Sequence, residues 1–525
     1  MGKTVDFPSM NRRSFLTAST AVAATCGLPA SAFAAASTKP AGDRAPATPS
    51  AEWARNFTHV PRDEHGALRE RNAARRAADP RPNILFIYTD QQTVNALSCA
   101  GNRWLRTANM DKLARNGVRF ERSYCPAPIC GPSRGALVCG RHPHETGVRY
   151  NGEAPHEELP NLGTTLREAG YDTTWTGKWH LPNSYPETDE IPGFHYLQRP
   201  EGILGGFLGD AVDMHFAQRA GTYLRWHAGL SPKPWFLGVS LHNPHDICHY
   251  FIKDNWISMP EPDPDHIDPT LLPPLPPNHY AVEDEAEYLQ KRRHQKTYAA
   301  ETGNHGTDLS EAHWRAYLQS YYSMTETVDR CLTPILEGLE AGGWADNTLV
   351  VFTSDHGEGM AAHQWFTKLS LYEETLRVPF IAVPPGRYGS GQGRVDDEVI
   401  VSGLDFMPTC LDYAGAGGRD AAPQLRGRSL RPLLEGGSDS WRDHLVIPID
   451  LSPERREEVG RAVLRADGWK YTVYSGGARA EALHYLPDDP GETRNRIETE
   501  PQVHKEMRAL LAEHIETTAD PFRLP

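Results

Sequence analysis

The chain has 525 residues, 39% hydrophobic and 23% charged, which is length enough for one large buried core and a smaller companion. Lys and Arg number 54 against 68 Asp and Glu, a formal charge of −14, whereas a protein that coats a nucleic-acid duplex needs a cationic surplus; nucleic acid is excluded as the main partner. With 45 Gly and 43 Pro the composition is that of a loop-rich globular protein, and an anionic substrate stays open because a few local cations govern one pocket.

In chain order, Met10-Asn11-Arg12-Arg13-Ser14-Phe15-Leu16 leads into an apolar stretch, Leu16 to Leu28, and Ala32-Phe33-Ala34 offers a small-residue cleavage site. This resembles a twin-arginine export signal over residues 1–34, so an exported protein, periplasmic or secreted, is expected, with the twin-arginine machinery as a partner. Residues 35–80, polar and rich in Ala, Pro and Arg, read as a linker or arm. No later apolar run is long enough for a stable membrane span.

From Arg81 the pattern becomes α/β. Asn83 to Tyr88 is a short apolar run of buried-strand type, followed by strand candidates at Asp172 to Thr176, Trp235 to Leu241, Thr348 to Phe352 and Val378 to Val383. A helix is expected from about Leu309 to Leu339, ending before Gly342-Gly343, and Met259 to Pro277 reads as a long ordered loop. Beyond Gly437 come strands at His444 to Ile449 and Lys470 to Tyr474, then a helix from Val503 to Ile515. The expected organisation is a large α/β domain over 81–437 and a smaller α+β subdomain over 438–525.

In open α/β sheets, ligands bind beyond the carboxyl ends of the strands. Here those ends deliver Asp90-Gln91, Gly177-Lys178-Trp179-His180, His242-Asn243-Pro244-His245 and Asp355-His356-Gly357. Singly, each has an ordinary reading as a cap, a surface charge or a loop histidine. Four coincidences after four strands point to one shared site. Cys130-Gly131-Pro132-Ser133-Arg134 adds a nucleophile, because Pro132 suits the first turn of a helix whose free N–H groups would favour an anion, with Arg134 one turn on.

Cys-x-Pro-Ser-Arg followed by Cys139-Gly140-Arg141 resembles the signature of the formylglycine-dependent sulfatases, of alkaline-phosphatase-like fold. The resemblance runs from about Pro82 to Asn495 and includes Tyr88-Thr89-Asp90-Gln91, Thr176 to His180, Asn347 to Glu358, Leu404 to Thr409 and Asp488 to Glu492. It implies a large mixed, mostly parallel sheet sandwiched by helices, and hydrolysis of a sulfate monoester, with a carbohydrate as the expected carrier. It implies also that a maturation enzyme oxidises Cys130 to formylglycine. The hydrated aldehyde would carry two hydroxyls, one to take the sulfuryl group and one to collapse and expel sulfate.

Matched by position, the resemblance makes Asp90, Gln91, Asp355, His356 and the modified Cys130 the shell of a divalent cation. Arg134, Lys178 and Lys368 would hold sulfate oxygens, His180 would assist collapse of formylglycine, and His245 would protonate the leaving alcohol. Gln91, His356 and Cys139 depart from the commoner Asp, Asn and Thr or Ser. Calcium is the first expectation for the cation; the nitrogen ligand and lost carboxylate leave room for manganese or magnesium.

Two other readings are carried forward: a phosphate or phosphonate ester hydrolase of the same superfamily, and a sulfated-glycan-binding protein without catalysis. Trp235, Trp256 and Trp365 are candidates for a sugar-stacking rim. Of eight cysteines, Cys26 lies in the signal; the odd remainder leaves at least one free, reactive or modified, and the spacing of Cys125, Cys130 and Cys139 is poor for structural zinc.

Overall fold

The computed structural model describes residues 70, 72, 74, 79–182, 191–197, 209–250, 267–281, 285–295, 309–417, 424–437, 440–451 and 458–525, all within one compact unit. The twin-arginine segment, most of the 35–80 arm and Trp256 lie outside the described residues.

Strand β1 (Asn83–Asp90) is buried at every position. Ile84, Phe86 and Tyr88 enter one hydrophobic cluster, Leu85 and Ile87 another, so the strand is apolar from Ile84 to Tyr88 because both its faces are covered. The strands that follow are β2 (Val118–Phe120), β3 (Ser123–Tyr124), β4 (Asp172–Gly177), β5 (His195–Tyr196), β6 (Trp235–Pro244), β7 (Thr348–Ser354), β8 (Phe380–Val383) and β9 (Arg394–Asp396). All but β3 join one eight-stranded sheet in the order β5-β4-β6-β1-β7-β8-β2-β9. β4, β6, β1 and β7 are mutually parallel, with Leu85 opposite Leu237 and Val350; β8 runs antiparallel to both its neighbours.

Helices close both faces. On one side α1 (Ala108–Asn116) contributes Met110 and Leu113 to the cluster of Leu85. On the other, α2 (Cys130–Cys139) is buried along its whole length. α3 (Gly209–Thr222) and α4 (Glu311–Ala341) join the first side, where Val328, Leu332, Ile335, Leu336 and Leu339 recur at helical spacing. α5 (Phe406–Tyr413) covers the second side, with Phe406 stacked on Phe86 at 4.0 Å between centroids. This is the mixed, mostly parallel sheet between helices that the sequence led us to expect.

A two-stranded ladder pairs β3 with β10 (Val401–Ser402). Beyond it, β11 (His444–Asp450), β12 (Val459–Arg465), β13 (Trp469–Tyr474) and β14 (Glu481–Tyr485) form an antiparallel sheet. Its two faces alternate as the pleat requires. Leu445, Ile447 and Ile449 pack with Tyr124, Ile129 and Trp365, while Val446 turns to Met507 and Leu511 of α6 (Pro501–Thr518).

One correction concerns the tryptophans. Trp235 and Trp365 are each 1% exposed and belong to the core, Trp235 edge-on to Trp344 and Trp365 beneath the Arg293 guanidinium. They stack no sugar: large aromatic area gains more from the interior than from a rim.

The C-terminal tail is tied down by charge. Arg461 Nε on β12 donates to Asp520 Oδ2 at 2.7 Å and Nη2 to Oδ1 at 2.5 Å, with both side chains almost fully buried. Burial pushes the Asp520 carboxyl up, but hydrogen bonding and charge from Arg461 win and hold it well below the usual range. A group depressed in the folded state contributes stability above its unfolded pKa and loses it as pH falls through the folded one. Asp520→Ala is therefore expected to lower unfolding stability at neutral pH by about 3–5 kcal/mol, because it strands a buried guanidinium, with the deficit shrinking in strong acid. Denaturant melts at neutral and acidic pH check both parts.

Candidate active site

Because β4, β6, β1 and β7 lie side by side and run parallel, their carboxyl ends meet at one edge. Asp90 ends β1; Asp355 and His356 follow β7; His245 follows β6. Lys178 follows β4 across Gly177, where a side chain is impossible: its φ is +87° and a Cβ would lie 1.8 Å from Ser240 O. Cys130 opens α2, which Gly140 ends in a left-handed turn, donating its N–H to Ala136 O.

Asp90, Cys130, Asp355 and His356 present ligand atoms that all lie within 4.8 Å of one another, every residue buried. Cys130 Sγ is 3.2 Å from His356 Nε2 and 3.7 Å from Asp90 Oδ1, and it accepts from Lys368 Nζ at 2.9 Å. His356 Nδ1 lies 2.8 Å from Gly357 O, which holds the proton on that nitrogen and leaves the Nε2 lone pair facing the thiol as an acceptor. Two carboxylates, an anchored imidazole and a thiol fit a borderline or hard divalent cation by their chemistry.

Cations surround this group. Arg134 donates through Nε to Asp355 Oδ2 at 2.9 Å and through Nη2 to Asp90 Oδ2 at 3.0 Å. Its position is held by Lys178 O and Ser240 Oγ, with its plane over the Tyr88 ring. Lys178 Nζ lies 2.7 Å from Asp90 Oδ2 and is fully buried. Burial pushes Asp90 up, but Lys178, His245, Arg134 and Lys368 together hold it well below the usual carboxylate range. Burial and Asp90 also push the Cys130 thiol up, yet Lys368, His356 and Lys178 leave it below an ordinary thiol.

His180 and His245 are buried, and burial reinforced by Lys178 holds both well below the ordinary imidazole value. Neither ring nitrogen of His180 has a hydrogen-bond partner among the described residues. The backbone is strained where these groups are aimed. Gln91, His180, Thr367 and Leu369 have φ between 62° and 70°, a left-handed conformation that non-glycine residues keep only when their surroundings enforce it.

The structure thus gathers Asp90, Cys130, Arg134, Lys178, Asp355, His356 and Lys368 in direct contact, with His180 and His245 within range of the same charges. Gln91 joins them through its backbone, whose N–H donates to Asp355 Oδ1 at 3.0 Å; its side-chain amide meets Glu358 through Nε2 and Cys248 through Oε1. Sequence reasoning gave no role to Glu358 or His249. His249 is 1% exposed, with its ring centroid 6.3 Å from that of His245, and burial with Lys178 and Lys368 lowers it to about 4. Glu358 stands beside Asp355-His356-Gly357, and a carboxylate next to two candidate ligands was the available signal.

A buried cysteine at a helix N-terminus, four side chains able to hold a cation and three converging cations beyond a mostly parallel sheet suit the hydrolysis of an anionic ester. Residues 82–416 match the family described as Sulfatase, and 361–520 the family described as N-sulphoglucosamine sulphohydrolase, C-terminal. The chain is 29% identical over 471 residues to a Delta 4,5-hexuronate-2-O-sulfatase of Bacteroides thetaiotaomicron, covering 85% of this chain and 91% of that one. Its fold is similar to that of a 2-O GAG sulfatase (TM-score 0.69, 28% identity, 84% and 93% covered). It is similar too to the phosphonate monoester hydrolase of Agrobacterium radiobacter (TM-score 0.65, 25% identity, 84% and 95% covered). The chain belongs to the sulfatase family and is a sulfuric ester hydrolase. Among the described residues no helix is long and apolar enough to cross a membrane.

Proposed function

We propose that this protein hydrolyses a sulfate monoester of a carbohydrate, using a formylglycine made from Cys130 and a divalent cation held by Asp90, Gln91, residue 130, Asp355 and His356. The observation that carries the reading is the placement of Cys130 Sγ, 2.9 Å from Lys368 Nζ and 3.2 Å from His356 Nε2, at the head of a buried helix. The hydrated aldehyde supplies two hydroxyls at residue 130, one to accept the sulfuryl group and one to expel it. The cation supplies charge that lowers a hydroxyl's pKa and polarises a sulfate oxygen.

The chain's own residues do the rest. Lys178, Lys368 and Arg134 offset the charge that builds on the sulfate oxygens in a site closed to water. His180, with both nitrogens unclaimed among the described residues, takes and returns the proton of the hydroxyl that collapses. His245 gives a proton to the departing sugar oxygen. The carbohydrate assignment draws on the hexuronate sulfatase relative, and export by the twin-arginine route draws on residues 1–34. Residues 81–437 would form the catalytic domain and 438–525 the smaller subdomain.

Fragment-resolved mass spectrometry of the tryptic peptide Ser123 to Arg134, from a host that matures sulfatases, tests the nucleophile. An aldehyde at residue 130, with Cys125 left a thiol, is the expected result. An unmodified Cys130 together with tight binding of a sulfated glycan would mean a binding protein. A phosphonate or phosphate ester hydrolase is the second reading, favoured by the likeness to the phosphonate monoester hydrolase and by Gln91 and His356 at the cation site. Side-by-side turnover of p-nitrophenyl sulfate, phosphate and phenylphosphonate separates the two, with sulfate expected fastest.

Chelation is expected to abolish turnover, and calcium to restore it, ahead of manganese and magnesium. A cation that binds only the folded chain adds about 2.7 kcal/mol at a hundredfold excess over its Kd, so the melting temperature should climb with added ion. Unchanged melting and turnover after exhaustive chelation would remove the cation from the site.

A further inference from the structure

Glu358 is a fully buried carboxylate one residue beyond Asp355-His356-Gly357, and three donors converge on it. Gln91 Nε2 donates at 2.6 Å to Oε2; Tyr317 Oη from α4 and the Thr367 backbone N–H each donate at 2.5 Å to Oε1. We propose that Glu358 is a positioning residue that fixes the amide of Gln91, so that its oxygen and not its NH2 group is offered to the cation. The inference rests on the reading that Gln91 is a cation ligand.

The end of Gln91 that faces Glu358 is its NH2 group, which donates to the carboxyl Oε2, while the carboxyl Oε1 already accepts from Tyr317 and the Thr367 N–H. Turned the other way, the amide would set a carbonyl oxygen against a carboxyl oxygen at a fully buried position. With the NH2 group claimed, Oε1 is left at the opposite end, where Cys248 Sγ lies 3.2 Å away. A thiol is a weak donor, and an oxygen that, among the described residues, is held by a thiol alone is surrendered to a cation at small cost.

The rest of Gln91 is equally constrained. Its N–H donates to Asp355 Oδ1 at 3.0 Å, its carbonyl accepts from Tyr321 Oη at 2.7 Å, and its φ is 70°. The backbone is thus fixed, and Glu358 fixes the end of the side chain. The same carboxylate, through the Thr367 N–H, anchors the turn that carries Lys368.

A charge exchange tests this. Calcium and manganese binding to chelator-treated protein is measured by calorimetry for wild type, Glu358→Gln, Gln91→Glu, the double Gln91→Glu/Glu358→Gln and Gln91→Leu, with melting temperatures alongside. Glu358→Gln is expected to weaken cation binding about 10- to 100-fold, the range usual for lost outer partners of a metal site. Gln91→Glu sets two carboxylates 2.6 Å apart and should lower the melting temperature. The double variant exchanges donor and acceptor in the same shape, and is expected to recover both melting temperature and binding to within about tenfold of wild type, the charge now lying in the shell.

If Glu358→Gln alone fails to fold, the double variant decides. A double variant no better than the worse single overturns the proposal, as does a folded Glu358→Gln with wild-type cation affinity. Gln91→Leu separates the two levels. Wild-type affinity there removes Gln91 from the shell and sinks the ligand reading with the inference, whereas weakened Gln91→Leu beside unaffected Glu358→Gln sinks the inference alone.

Discussion

Replacing Cys130 with alanine is expected to stop sulfate ester hydrolysis, with a fall in kcat on the order of 10⁵- to 10⁶-fold, the scale on which a nucleophile's removal acts elsewhere. The side chain lost is small and sits at the head of a helix whose other nine residues keep their packing, so the melting temperature should change little against that loss. Cys130→Ser is the sharper variant. A serine that reaches the purified protein intact has one hydroxyl. It can take the sulfuryl group and release the alcohol, but has no second hydroxyl with which to expel sulfate. One equivalent of alcohol per site, then arrest with the mass of a sulfuryl group on peptide Ser123 to Arg134, is the expected record. Continued turnover by Cys130→Ala at the wild-type rate would place the nucleophile elsewhere.

The central strands were legible because both faces of the sheet are covered, which makes each strand a continuous apolar run bounded by polar residues. β12 and β14 escaped for a physical reason. β12 carries Arg461 at a buried position, and the partner that makes this tolerable, Asp520, lies 59 residues downstream. β14 is five residues long and begins on Glu481, which Tyr471, His504 and Arg508 satisfy from other elements. Neither partner is adjacent in sequence, so each segment reads as too polar for a strand.

The site shows the same division. Asp90, Lys178, His245 and Asp355 could be found because strand ends are a predictable place for chemistry. Lys368 could not be found that way: it rides a turn between two residues of left-handed φ, and only the family resemblance singled it out. The task of Glu358 was hidden because its partners, Gln91 and Tyr317, lie 267 and 41 residues away. What a single sequence conceals here is which distant donors a buried carboxylate will meet, and that decides whether it orients a neighbour or binds a ligand.

His245→Ala is expected to divide substrates by leaving group. A sugar alcohol leaves poorly unless its oxygen is protonated as the bond to sulfur breaks, so loss of the general acid should lower kcat for a sugar sulfate about 10²- to 10⁴-fold. p-Nitrophenol leaves readily as the anion, and turnover of its sulfate should fall less than about tenfold, since the other groups that stabilise the transition state are untouched. The pH dependence follows from the charges. Burial, then Lys178 and Lys368, holds His245 well below its ordinary pKa, so in the free enzyme the acid is protonated only at low pH. Sulfate bound between those lysines brings negative charge, relieves their repulsion and raises the pKa. The basic limb of kcat, which reports the complex, should therefore lie at higher pH than that of kcat/KM, which reports the free enzyme, and His245→Ala should erase both limbs for the sugar substrate. Equal losses on the two substrates, with the pH profile unmoved, would return His245 to a structural role and assign the proton to His180 or to the nearby His249.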